Sequence, residues 1–148
     1  MDCQNRVGFS VIELLVVLSL LGILLAIGIP ASNKLLLSYQ LNGSARRVQT
    51  ELQSIKMRAA AENLGFQFAY GAGSVNYTIR RDGSALVSKP LPEGIVITQA
   101  GTVSFSPRGT AGSNRIRLQS REGGCKQVVV SSTGRIRVCS PASCGVDC

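Results

Sequence analysis

An α+β fold, with a long N-terminal α-helix packed on a small all-β domain, follows from three observations on the sequence. A dense apolar run occupies Leu14 to Ile29. Beyond it, Leu41, Ala45, Val48, Leu52, Ile55 and Ala59 recur at steps of three and four, the spacing of one helical face. From Phe66 onward the period changes to two, and turn residues recur every ~8–12 positions, as in a series of short strands.

The helix is expected to run from about Phe9 to Glu62. Its polar faces carry Arg46, Arg47, Gln49, Glu51, Gln53 and Arg58, and Asn63 with Gly65 supplies a stop. At ~1.5 Å per residue it spans roughly 80 Å, with Pro30 and the glycines at 28 and 43 as places to bend. Ser19, Gly22 and Ala26 form a small-residue ridge that admits a neighbouring helix, although such residues are often incidental in apolar helices. Strands are predicted at 66–70, 75–81, 84–89, 95–99, 101–106, 115–120, 125–131 and 134–139. Asp82-Gly83 marks a tight hairpin. A polar loop covers 107–114, and Glu122-Gly123-Gly124 is a turn.

The 148 residues suit one domain and one extra element, and the formal charge is +8. Arginine supplies twelve of the sixteen cations, and its planar fork favours phosphate, although a merely basic surface is the bland alternative. Histidine is absent, which excludes His-based metal sites, triads and proton shuttles. The acids beyond residue 30 are too widely spaced for a carboxylate pair or a calcium loop. With no nucleotide or nucleophile motif either, no catalytic residue, cofactor or metal is expected, and the chain reads as a non-enzyme.

Of five cysteines, four cluster at Cys125, Cys139, Cys144 and Cys148. Two disulfides in an oxidising compartment are the favoured reading. A zinc site is the competitor, but the spacings lack the C-x2-C knuckle. Cys125 and Cys139 lie equally far from Ser132, the centre of a predicted hairpin, so the expected pairing is Cys125–Cys139 and Cys144–Cys148.

Residues 1–8 are short and polar, and the apolar segment follows without an A-x-A-like cleavage site until Ala31. That segment is therefore expected to be retained. Phe9 to Ile29 is 21 residues, enough for the ~30 Å of a bilayer core. Glu13 sits near the start of this span, where an ionised acid is costly unless it has a cationic partner or lies at the headgroup level.

Gly8-Phe9-Ser10-Val11-Ile12-Glu13 resembles the processing site of type IV pilins and type II secretion pseudopilins. Pro30 stands where such pilins carry a helix-kinking proline. The resemblance implies a type IV pilin-like fold with a leader at 1–8, a transmembrane and polymerisation half at 9–30, an amphipathic half at 31–64 and a β domain at 65–148. It implies cleavage between Gly8 and Phe9 by a prepilin peptidase, methylation of the Phe9 amine, and pairing of Glu13 with that amine on a neighbouring subunit during assembly. Val7 departs from the family, which usually has Lys or Arg directly before the Gly. Charge counting across the span favours the opposite topology, so a periplasmic β domain on a single-pass inner-membrane protein is what the resemblance implies. Gly134-Arg135-Ile136-Arg137, at the end of a run of strands, looks like the minor pilins and pseudopilins of the FimT and GspH type.

Strand parity adds a site. With turns centred near Gly123 and Ser132, Arg117 and Arg135 flank Val129, and Arg115 and Arg137 share their face. Ile116, Leu118, Val128, Val130, Ile136 and Val138 form the opposite, core-like face. All four arginines are then expected to point into solvent and to take phosphates of double-stranded DNA, since aromatics for base stacking are scarce. Three roles compete. One is a minor type IV pilin that binds DNA for uptake in natural transformation, and another is a structural subunit of a type II secretion pseudopilus. The third, an uncut bitopic membrane protein, uses its β domain as an interaction module.

Overall fold

The computed structural model describes residues 10–148, with backbone only for 27–34. The leader cleavage at Gly8 and Phe9 lies outside the described residues, as does the side chain of Pro30. One helix, α1, runs Val11–Glu62. Eight strands follow among the described residues: β1 Phe66–Tyr70, β2 Asn76–Arg81, β3 Ser84–Pro90, β4 Ile95–Ile97, β5 Gly101–Phe105, β6 Asn114–Ser120, β7 Cys125–Val130 and β8 Ile136–Cys139. They make two four-stranded antiparallel sheets, ordered β3-β2-β1-β5 and β4-β6-β7-β8.

The chain divides into two compact units, Met1–Leu35 and Leu36–Cys148. In the first, the large apolar side chains from Val11 to Leu25 stand exposed. The hydroxyl of Ser19 donates to the Val16 carbonyl at 2.8 Å and so satisfies its own polarity within the helix. Among the described residues no helix is long and apolar enough to cross a membrane. The apolar run seen in the sequence continues into 27–34, whose side chains are not described.

In the second unit the stripe expected to face the core does so: Leu41, Ala45, Val48, Leu52, Ile55 and Ala59 are all buried. They join Phe66, Phe68, Tyr77, Ile95, Phe105, Ile116 and Leu118 in one hydrophobic cluster. Phe68 stacks on Tyr77 at 4.6 Å between centroids, adding aromatic contact to simple burial. The helix ends as its sequence directs. Asn63 takes a left-handed φ of 52°, and the Leu64 amide bonds back to the Ala59 carbonyl at 3.3 Å, a Schellman closure with asparagine in the usual glycine position. Asp82 and Gly83 both have positive φ, 46° and 81°, as the two-residue β2–β3 hairpin requires.

Candidate anion-binding face

Sheet β4-β6-β7-β8 positions the arginines. Its inner face buries Ile116, Leu118, Val128 and Val130 and half-buries Ile136 and Val138, so the expected core face holds. Parity then sends Arg115, Arg117, Val129 and Arg137 to the outer face.

The register differs from expectation by two residues in both hairpins. Arg115 and Arg137, not Arg117 and Arg135, flank Val129. Two residues is a full period of the pleat, so the slip keeps every side chain on its face while changing its neighbours. The cause lies in the turns. The second closes over Ser131–Gly134, where the Gly134 amide bonds to the Ser131 carbonyl and the Ser131 amide to the Arg135 carbonyl. β8 accordingly begins at Ile136 rather than at residue 134.

Gly134 is buried, with φ at +73°. A Cβ there would run into the Gly109 carbonyl and the end of Lys56, so only glycine fits. Lys56 Nζ donates to the Gly134 carbonyl at 3.0 Å. Gly134 therefore sets the turn that presents Arg135 and Arg137, both exposed, and is not itself a contact surface.

The cysteine pairing is corrected. The bridges are Cys125–Cys144 and Cys139–Cys148, with Cα separations of 5.3 and 6.4 Å, both inside the usual range. The register explains why: Cys139 sits opposite Gln127, so Cys125 lies beyond the paired part of β8. The tail after β8 instead returns over the outer face and meets each strand cysteine in turn. Gln127, nominally on a solvent face, is buried beneath it. Gln127 donates to the Val146 carbonyl at 2.7 Å and accepts from the Cys148 amide at 3.4 Å.

The tail also corrects the charge of the face. Asp147 accepts from Arg115 Nη1 at 2.8 Å and from Arg117 Nη2 at 2.7 Å. The hydrogen bond from Arg117, with the positive charges of Arg115 and Arg117, holds the Asp147 carboxyl below the usual carboxylate range against a smaller desolvation effect. Two of the four arginines thus already have a carboxylate. Arg135 and Arg137 have none among the described residues. Asp147 was missed in the sequence, although an acid inside a cysteine-bounded tail beside an arginine-rich strand is a readable signal. Glu13 lies in the first turn of α1, exposed, in the other compact unit.

A sequence model of the family described as type II transport protein GspH matches residues 44–134. Compared with curated proteins, the sequence has no significant match. Among solved structures, the type IV minor pilin FimU of Pseudomonas aeruginosa is similar at 17% identity, covering 70% of this chain and 99% of that one with a TM-score of 0.55. The minor pseudopilin EpsH of the Vibrio cholerae type 2 secretion system is similar at 13% identity, with 70% and 99% coverage and a TM-score of 0.60. At these identities the likeness speaks for the fold.

Proposed function

This chain belongs to the family of the type II transport protein GspH, with the fold of minor pilins and pseudopilins, and from that premise we propose that it is a filament subunit whose basic β domain binds extracellular DNA for uptake in natural transformation. The observation that carries the reading is the pair Arg135 and Arg137. Both are exposed, both follow a glycine-locked turn, and neither has a carboxylate partner among the described residues. Guanidinium forks without an internal anion suit phosphate, and a scarcity of aromatics suits backbone contact with a duplex.

The N-terminal expectations belong to the same reading. Prepilin peptidase cuts after Gly8, the Phe9 amine is methylated, and Glu13 pairs with that amine on a neighbouring pilin subunit. The exposed apolar side chains from Val11 to Leu25 need lipid in the inner membrane before assembly and other helices afterwards. The β domain then stands in the periplasm and later in the filament.

A second reading, a GspH-like pseudopilin with a purely structural role in type II secretion, is favoured by the family match itself and by the likeness to EpsH. Titrating the full-length protein in neutral detergent with a short fluorescent duplex separates the two. Binding at low salt that weakens with salt, and that an Arg135→Gln/Arg137→Gln variant flattens by about two units in log affinity against log salt, supports the DNA reading. No binding at low salt leaves the structural role.

A further inference from the structure

Between the polar side of α1 and the open edge of β8 lies a groove of about 650 Å³. The helix contributes Arg46, Gln49 and Thr50 at one-turn spacing, the sheet contributes Lys126, Arg135 and Arg137, and no acidic residue lines it. Gln49 Nε2 reaches the Ile136 carbonyl at 3.4 Å, so the backbone edge of β8 faces the helix across this groove. β8 is the last strand of its sheet, and a period of two turns the Val138 backbone toward the same side as that of Ile136. Four cations therefore line a polar trough edged by the backbone of β8, with Arg135 and Arg137 at its rim, where they also border an outer-face cleft beside Val129.

On the outer face, half of the arginine set is already occupied. Arg115 and Arg117 are held by Asp147, and an incoming phosphate there must displace a carboxylate already at hydrogen-bond distance. None of the four groove cations has an acidic partner among the described residues; Lys126 meets only the neutral hydroxyl of Ser140.

We infer that this groove, with Arg46 and Lys126 acting beside Arg135 and Arg137, is the track for one phosphodiester strand, and that Arg115 and Arg117 lie outside it. The inference rests on the DNA reading above and changes its residues: the path runs over the rim of β8 toward the helix instead of across the sheet. Charge complementarity selects the occupant. Phosphates of a nucleic-acid strand repeat at a spacing that lets one chain meet several cations of a trough, and no base-specific contact is needed.

The test uses full-length protein in neutral detergent and a short fluorescent duplex of arbitrary sequence. Four engaged phosphates give a slope near −3.6, so affinity falls about 150-fold between about 50 and 200 mM salt. Arg46→Gln/Lys126→Gln is expected to halve the slope, reducing that fall to about 12-fold. The charge-retaining Arg46→Lys/Lys126→Arg is expected to keep most of the wild-type slope, which separates loss of charge from loss of fold. Arg115→Gln/Arg117→Gln is expected to bind no more weakly than wild type. If Arg46→Gln/Lys126→Gln keeps the wild-type slope while Arg135→Gln/Arg137→Gln loses it, the groove is not the track and DNA binding stands. If wild type fails to bind at low salt, the DNA reading falls and the groove assignment with it.

Discussion

Arg117 Nη2 donates to Asp147 Oδ1 at 2.7 Å, joining an inner strand of the second sheet to a residue thirty positions further along the chain. Together with the two bridges and the buried Gln127, this contact makes the tail a fixed layer over β6 and β7, and it divides the arginines into an occupied pair and an open pair.

The Asp147 carboxyl is expected to titrate below its unfolded value of about 3.9. Because the folded value is the lower one, the ion pair's contribution is present above about 3.9 and is lost as pH falls through the folded value. An NMR titration of the side-chain carboxyl reads this directly. Arg117→Gln removes the largest cause and is expected to move the midpoint upward; a midpoint that stays put means the contact does not persist in solution.

Replacing Gly134 with alanine is expected to destabilise the fold by about 1–3 kcal/mol, since the new Cβ meets both a left-handed φ and the Gly109 carbonyl. Gly145→Ala, where nothing lies within 4 Å, is expected to fall within about 0.5 kcal/mol of wild type. Urea unfolding compares the two, and equal midpoints would remove the steric account of the turn.

The bridges Cys125–Cys144 and Cys139–Cys148 are each expected to contribute about 2–4 kcal/mol. Tryptic cleavage alone leaves Cys139, Cys144 and Cys148 on one peptide, so the mapping needs tandem fragmentation of the backbone between Cys139 and Cys144. A fragment joining Cys125 to Cys139 would restore the hairpin-symmetric pairing.

Glu13→Ala is expected to leave membrane insertion intact or improved, because a costly carboxylate is gone, while impairing incorporation into filaments. Quantifying the variant in membrane and sheared-filament fractions tests this. Assembly at wild-type levels would mean that Glu13 does not pair with the Phe9 amine.

The helix and strands were legible because burial imposes a period. All six positions of the Leu41–Ala59 stripe are buried, and the eight expected strands recur with boundary shifts of at most two residues. Parity was legible for the same reason, which is why Ile116, Leu118, Val128 and Val130 fall on the core face. Register was not. Turn geometry sets it, and a slip of two residues leaves the hydrophobic pattern unchanged, so the pattern carries no information about whether Arg115 or Arg117 lies beside Val129. The cysteine pairing inherited that slip. The docked tail has no periodicity, and its place is fixed by single contacts at Gln127, Arg115 and Arg117 that no window of sequence brings together. Arg46 and Lys126 were hidden likewise, one on a helix and one on a strand whose proximity only the packing reveals.

Lys56 and Gly134 are 78 positions apart, yet a direct hydrogen bond moors the turn carrying Arg135 and Arg137 to α1, with Gln49 and Ile136 as a second mooring close by. A filament is a mechanical object. A load applied at that turn reaches α1 through these two side-chain links as well as through the β7–β8 ladder on which the turn is built. Removing those links would leave the ladder as the remaining path from the turn to the rest of the fold.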